Sequence, residues 1–244
     1  MNLYTYLRLL YLFKRNAAFI WHSNNKNFES VEKVKSLPLN LLVGIDRQKK
    51  SLYENTYNFA NNNFTNNALL WGTRGNGKST LIKSIFNEIN YKFTFLKLIQ
   101  INKNDLLDIH HIYLKIEKLK NFRFILFIDD LSFENIDKDY KIIKSTLDGG
   151  LQNQPKNVTL YVTSNRRHLM PREMIDNEKS SAIHTDESVE EKISLSDRFG
   201  LWIGFHNISQ NEYLEIIRTY FKHFKININE SILKKSIQWS LERG

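Results

Sequence analysis

The sequence predicts an α/β fold, a mostly parallel sheet covered by helices, from three observations. Short apolar runs alternate with helical patterns through the middle of the chain, a loop of the form G-x-x-x-x-G-K-S separates one such run from the helix after it, and a second run ends in two adjacent aspartates. With 244 residues, 41% hydrophobic and 25% charged, the chain suits one large domain or one domain with a small appendage. Cysteine is absent, which excludes disulfides, cysteine-ligated zinc, iron–sulfur clusters and thiol catalysis. The 35 Lys+Arg against 26 Asp+Glu give a net charge of +9, which favours polyanions such as nucleotides, nucleic acid or acidic lipid, or else a solvated basic surface.

Taken in order, Leu3, Leu7, Leu10, Phe13 and Ala17 recur at spacings of three and four and predict a packing helix. Arg8, Lys14 and Arg15 interrupt the stretch to Trp21, so it reads as neither a signal peptide nor a membrane span, and the protein is expected in the cytoplasm. Ser23–Asn40 is polar, contains Pro38 and reads as a linker with a short helical turn near Val31–Val34. The folded domain is expected to begin near Leu41. Strands are expected at Ala68–Trp71, Phe93–Ile101, Phe122–Ile128 and Val158–Thr163, and helices at Lys78–Asn90, Asp105–Lys118 and Asp139–Leu151. Beyond Gly204, Ser209 can cap a helix to about Lys222, and Asn229 or Glu230 can open another that runs to the end. The organisation is therefore an N-terminal helix and linker (1–40), an α/β domain (41–207) and a small, partial helical subdomain (208–244).

The loop Gly72-Thr73-Arg74-Gly75-Asn76-Gly77-Lys78-Ser79, followed by Thr80, carries the strongest chemical signal. Its glycines let successive backbone N–H groups turn inward, and the following helix adds its positive end to the same anion. In this pattern Lys78 reaches β- and γ-phosphates and the Ser79 hydroxyl binds Mg²⁺. The strand Phe124-Ile125-Leu126-Phe127-Ile128 delivers Asp129 and Asp130 to the same edge of the sheet. Asp129 is the candidate to hold Mg²⁺, and Asp130 the candidate to polarise an attacking water. Asn102-Lys103-Asn104-Asp105 matches the N-K-x-D pattern that reads guanine but follows the wrong strand, and a helix-capping turn is its expected role. No histidine spacing suggests any metal other than Mg²⁺.

Further segments resemble the AAA+ P-loop ATPases. Thr159-Leu160-Tyr161-Val162-Thr163-Ser164-Asn165 is similar to the strand ending in the sensor-1 residue, here Asn165. Leu195-Ser196-Asp197-Arg198-Phe199-Gly200-Leu201 resembles the segment carrying the arginine finger, with Arg198 the candidate; an ion pair with Glu190, Glu191 or Asp197 is its alternative role. Leu42-Val43-Gly44-Ile45-Asp46 is similar to the segment that frames adenine, which puts Val43 and Gly44 at the nucleotide. ALLWGTRGNGKSTL, FIDDLSFE, VTSNRRHLMP and EKISLSDRFGLWIGF resemble, in that order, a bacterial group of predicted AAA+ ATPases known as the domain of unknown function numbered 815.

The resemblance implies a five-stranded parallel sheet of order 5-1-4-3-2 with a partial helical lid, ATP and Mg²⁺ as ligands, and a homo-oligomer acting on a macromolecular client. The usual Asp-Glu pair is here Asp129-Asp130, so the base is Asp130 or Glu134 and hydrolysis is expected to be slow. The region that would carry a sensor-2 arginine is not matched, and Arg243 is left unassigned. Two alternatives stand beside an active ATPase. One is a slow or non-hydrolysing ATP-dependent switch or scaffold. The other is a DNA-directed ATPase like helicase loaders, favoured by basic residues in the first fifty positions but by no DNA-reading motif. Arg166-Arg167-His168 and the acidic stretch Glu173–Asp197 read as a solvated loop and linker, or as contacts to a partner.

Overall fold

A strand apolar on both faces must be covered on both, and the run before Asp129 meets that need by lying near the middle of a seven-stranded sheet. The computed structural model describes residues 2–131, 154–165 and 198–243. Its elements are α1 (Leu3–Arg15), β1 (Ala18–His22), β2 (Asn27–Val31), α2 (Asp46–Ala60), β3 (Ala68–Gly72), α3 (Lys78–Lys92), β4 (Leu96–Ile101), α4 (Ile109–Ile116), β5 (Arg123–Ile128), β6 (Val158–Ser164), β7 (Leu201–Phe205), α5 (Gln210–His223) and α6 (Glu230–Arg243). The helix expected at Asp139–Leu151, together with Glu134, Arg166, Arg167, His168 and Glu173–Asp197, lies outside the described residues.

Strand order is β2-β1-β4-β5-β6-β3-β7. Every neighbouring pair is parallel except β1 with β2. Counting β3 as the first core strand, β7-β3-β6-β5-β4 reads 5-1-4-3-2, the expected order. The strand count differs, because β1 and β2 extend the sheet beyond β4. Side chains alternate across it: Phe124, Leu126 and Ile128 enter a core with α1 and α4, while Ile125 and Phe127 enter one with α2 and α3.

The extra strands correct the reading of the N-terminal segment. Helical periodicity extends to Ala17 in sequence, but the helix stops at Arg15, and Phe19 and Trp21 then alternate with period two into the core. Ser23–Lys26 forms the reversal, with Lys26 in the left-handed region at φ 48°, and the expected linker supplies β2. The buried stripe of α1 also differs: Leu9 and Phe13 are buried, whereas Leu3 and Leu7 face outward. Phe13 meets the rings of Phe19, Phe28 and Phe124 at centroid distances of 4.5, 5.2 and 5.0 Å. Lys97 ties this layer to the sheet, donating to Asn16 O at 2.9 Å and Thr94 O at 2.8 Å, and burial pushes its pKa down to about 8.

The remaining elements differ in detail. The first three residues expected in β4 form a turn, with Leu96 N–H donating to Phe93 O at 2.9 Å. A 3-10 turn at Lys103–Asp108 precedes a shorter α4, and Asn102 and Asp105 bond across its start, in keeping with a capping role. The sequence reading missed α2, whose buried stripe of Leu52, Thr56, Phe59 and Ala60 is thin among polar residues. In the lid, Ser209 and Glu212 form a reciprocal capping box on α5, and Asn229 accepts from Ile232 N–H at the start of α6.

Phe13→Ala is expected to cost about 3–5 kcal/mol of unfolding free energy, read from urea denaturation. A loss near about 0.5 kcal/mol, the scale of an ordinary surface substitution, would mean that α1 and the hairpin are not part of the cooperative core.

Candidate nucleotide site

Three parallel neighbours, β3, β6 and β5, release their chains at one edge of the sheet, so the residues following them converge there without any long-range loop. After β3 the backbone turns sharply. Gly72 has φ 141°, and a Cβ there would lie 2.1 Å from Phe205 O on β7, so glycine is needed where the two strands approach. Gly75 and Gly77 sit at φ 81° and 82°, which aims the loop over the start of α3. Asn76 pins its crest by donating to Thr73 Oγ1 at 2.6 Å and to His206 O at 2.8 Å.

Lys78 opens α3 and is buried, its Nζ donating to Gly72 O at 2.8 Å, Thr73 O at 2.7 Å and Asn165 Oδ1 at 3.2 Å. Burial lowers its pKa, and the charges of Asp130 and Asp129 oppose that shift. At the next residue, Ser79 Oγ donates to Asp129 Oδ1 at 2.5 Å, and Thr163 Oγ1 donates to the same oxygen at 2.6 Å. Asp130 lies in the left-handed region at φ 53°, held by its N–H donating to Thr163 Oγ1 at 2.9 Å and by Leu131 N–H donating to Thr163 O at 2.8 Å. Asn165 Nδ2 donates to Asp130 Oδ1, and Arg74 Nη2 lies 3.9 Å from Asp130 Oδ2. Asn165 therefore bridges the buried ammonium and the second aspartate.

The loop from Arg74 to Thr80, with Asp129, Asp130, Thr163 and Asn165, lines a cavity of about 340 Å³. Ser79 and Asp129 offer one hydroxyl and one carboxylate, a sparse oxygen set that fits Mg²⁺, an ion that keeps waters and shares phosphate oxygens. Among the described residues no group of three or more His, Cys, Asp or Glu forms a metal cage. A second cavity of about 240 Å³ adjoins the first across Gly75, Asn76 and Gly77. Val43 and Gly44 line it, with Gly44 at φ 80°, as do Ile208, Ile216 and Tyr220 at and beyond the start of the lid. Gln48 Nε2 fixes one wall by donating to Gly204 O at 2.9 Å.

The structure thus gathers Val43, Gly44, Gly72–Thr80, Asp129, Asp130 and Asn165 along one edge. It does not bring Arg198 there. Arg198 precedes β7 at the opposite edge, in a cavity with Arg123 and Thr159 from the beginnings of β5 and β6. A five-residue strand spans roughly 17 Å, which separates it from its own phosphate loop. Sequence reasoning missed Thr163 as a site residue, although it was legible as the penultimate polar side chain of a buried strand. It also missed Ile208, Ile216 and Tyr220, whose contribution depends on where the lid folds. Trp71 packs over Gly204 and edge-on to His206 at 6.0 Å, next to the loop rather than in it.

Comparison with solved structures finds the same fold in AAA+ P-loop ATPases. A RuvB variant of Thermotoga maritima superposes with a TM-score of 0.52 at 20% identity, over 82% of this chain and 58% of that one. A chain of the HORMA:CdnC:Trip13 complex of E. coli MS115-1 gives 0.56 at 12%, over 82% and 74%. A Walker-type ATPase of Pyrococcus abyssi gives 0.51 at 14%, over 83% and 65%. This chain therefore matches less than two thirds of the RuvB chain's length. No curated protein matches it in sequence. Residues 14–244 match the family described as "Protein of unknown function (DUF815)". The fold, the phosphate loop and this match agree: the chain belongs to the DUF815 family and has the AAA+ P-loop fold.

Proposed function

We propose that this chain binds and hydrolyses ATP with Mg²⁺, as an oligomer whose neighbouring copy completes each site with Arg198. The observation that carries this reading is the continuous chain of contacts Lys78–Asn165–Asp130 beside Ser79–Asp129 at one edge of the sheet, which supports Lys78 as the phosphate-binding cation, Asp130 as the base and Ser79 with Asp129 as the Mg²⁺ pair. Backbone N–H groups of the loop and the start of α3 would hold the β- and γ-phosphates, with Lys78 beneath them. Asp130 would accept a proton from the attacking water, and Asn165 would orient that carboxylate while touching Lys78. Bound between Ser79, Asp129 and the phosphates, Mg²⁺ would neutralise charge on their oxygens. The second cavity would take adenine against Val43 and Gly44, with the lid closing over it.

The position of Arg198 supports assembly. It lies too far from its own loop to stabilise charge there, whereas a head-to-tail neighbour can present it to the adjacent site. The solved relatives point to a macromolecular client for the proposed machine: RuvB is described as a Holliday junction branch migration motor, and Trip13 stands in a complex with HORMA and CdnC. Among the described residues no helix is long and apolar enough to cross a membrane, in keeping with the proposed cytoplasmic location. One observation favours the slower, switch-like reading. Asp130 has the shorter acidic side chain, and its two oxygens already face Asn165 and Arg74.

Lys78→Ala is expected to abolish MgATP binding or turnover in equilibrium-binding and phosphate-release assays, and Asp129→Asn to weaken binding only in the presence of Mg²⁺. Asp130→Asn should spare binding and lower turnover by about 10²-fold or more, the scale of a lost general base; unchanged turnover would transfer the role to Glu134. Arg198→Ala should leave binding to the isolated chain intact and cut turnover by about 10³-fold where the protein assembles. If turnover fell equally at dilutions where the chain is monomeric, Arg198 would not be acting on a neighbour.

A further inference from the structure

We infer that the outward face of α1 is a membrane-contact surface, on which Leu3, Tyr4, Leu7 and Tyr11 enter the headgroup region of an anionic bilayer while Arg8 and Arg15 meet its phosphates, with no segment crossing the bilayer. The face is separate from the proposed nucleotide site, because no residue of α1 lines either cavity there.

A helix that packs one face on a core ordinarily turns polar side chains to water on the other. Helix α1 does not. Leu9 and Phe13 are buried on its inner side, whereas Leu3, Tyr4, Leu7 and Tyr11 are 73%, 76%, 52% and 61% exposed. Their spacing gathers them: Leu3, Leu7 and Tyr11 follow one another four residues apart, and Tyr4 and Arg8 form the neighbouring row. The 13 residues of α1 make a ridge about 20 Å long. Its inner side chains already hold it in shape, so a surface that covers the outer ones meets a helix whose ordering cost was met in folding.

Charge says what covers them. The first 28 residues hold Arg8, Lys14, Arg15 and Lys26 and no Asp or Glu. Arg8, Lys14 and Arg15 are exposed, and among the described residues none of the three forms an ion pair. The guanidinium carbon of Arg15 lies 5.1 Å from the centre of the Tyr11 ring, so cation and aromatic ring share one surface. The cationic surface continues onto the hairpin turn and α4: burial lowers the pKa of Lys115, and the charges of Arg8 and Lys26 lower it further. Asp108, near Lys26, offsets one of these charges. Leucines interleaved with unpaired arginines fit a partner that is anionic at its surface and apolar just beneath, the profile of a bilayer with anionic headgroups. Tyrosine suits the boundary between the two layers. The phosphate backbone of a nucleic acid supplies the charge but no apolar layer for Leu3 and Leu7.

Flotation of the full chain with unilamellar vesicles, in the absence of nucleotide, tests the face whether or not the chain hydrolyses ATP. The wild type is expected to float with vesicles that contain phosphatidylglycerol and to stay behind with phosphatidylcholine alone. Raising the salt should weaken this binding without abolishing it, because burial of the leucines is not screened. Arg8→Gln combined with Arg15→Gln should weaken partitioning by about fivefold for each charge removed. Leu3→Ser combined with Leu7→Ser should weaken it by about tenfold or more. Both double variants should keep the urea midpoint and circular dichroism spectrum of the wild type, since all four side chains are exposed. A wild type that ignores both kinds of vesicle, shows no preference for phosphatidylglycerol or is released completely by salt would overturn the inference. So would a loss confined to one of the two double variants, because charge and apolar contact are both required. Absence of vesicle binding together with an affinity for a single-stranded DNA oligonucleotide that Arg8→Gln with Arg15→Gln removes would also overturn it, and would assign the surface to nucleic acid.

Discussion

The end of β6 is the constraint on which the site depends. All seven residues of that strand are buried, and it lies between β3, which leads into the phosphate loop, and β5, which leads into the aspartates. Thr163 binds the carboxylate of Asp129 and the backbone of Asp130 and Leu131; two residues later Asn165 binds Lys78 and Asp130. A shift of β6 by one residue would turn Thr163 away from Asp129 and put Val162 or Ser164 at its position, because successive residues face opposite sides of a sheet. The register Trp71↔Ser164 and Ile128↔Val162 is thus a statement about chemistry as much as about packing. The left-handed backbone of Asp130 persists for the same reason: both N–H groups that define the turn are committed to Thr163.

A parallel sheet has two unlike edges, and this chain divides its functional groups between them. The carboxyl edge carries the groups proposed to hold a nucleotide, and the amino edge carries Arg198, Arg123 and Lys156. Neither set can reach the other within one chain. That division turns assembly from an accessory into a requirement for fast turnover in the proposed mechanism, and it makes the rigidity of the layers between the edges consequential. The aromatic cluster around Phe13 and the anchoring of Lys97 brace one flank of the sheet, so the hairpin contributes to the site at a distance by fixing the strands.

Much of this was legible in the sequence, and what was not has physical reasons. The core strands showed as short apolar runs because they are buried on both faces, and the phosphate loop showed because its glycines are stereochemically required at positive φ. The hairpin did not show, since one turn of helical periodicity ran on through Ala17 and Phe19, Trp21 and Phe28 give only three inward positions across a polar reversal. Helix α2 hid for a related reason, presenting four buried residues in fifteen. Thr163 was missed because its importance comes from lying beside a strand thirty-odd residues earlier, a relation set by strand order and not by spacing. Asn165 was found through family resemblance, yet its double contact to Lys78 and Asp130 could come only from coordinates.

The central claim is that one chain is complete for binding ATP and incomplete for hydrolysing it. The most direct measurement follows MgATP affinity and turnover per chain on the same samples over a wide range of protein concentration. The account predicts an affinity that is already present at the highest dilution and a turnover per chain that climbs with concentration as copies meet. A turnover per chain that is substantial and constant from the most dilute sample upward would contradict it, because the site would then hydrolyse ATP with no neighbour to supply the missing cation.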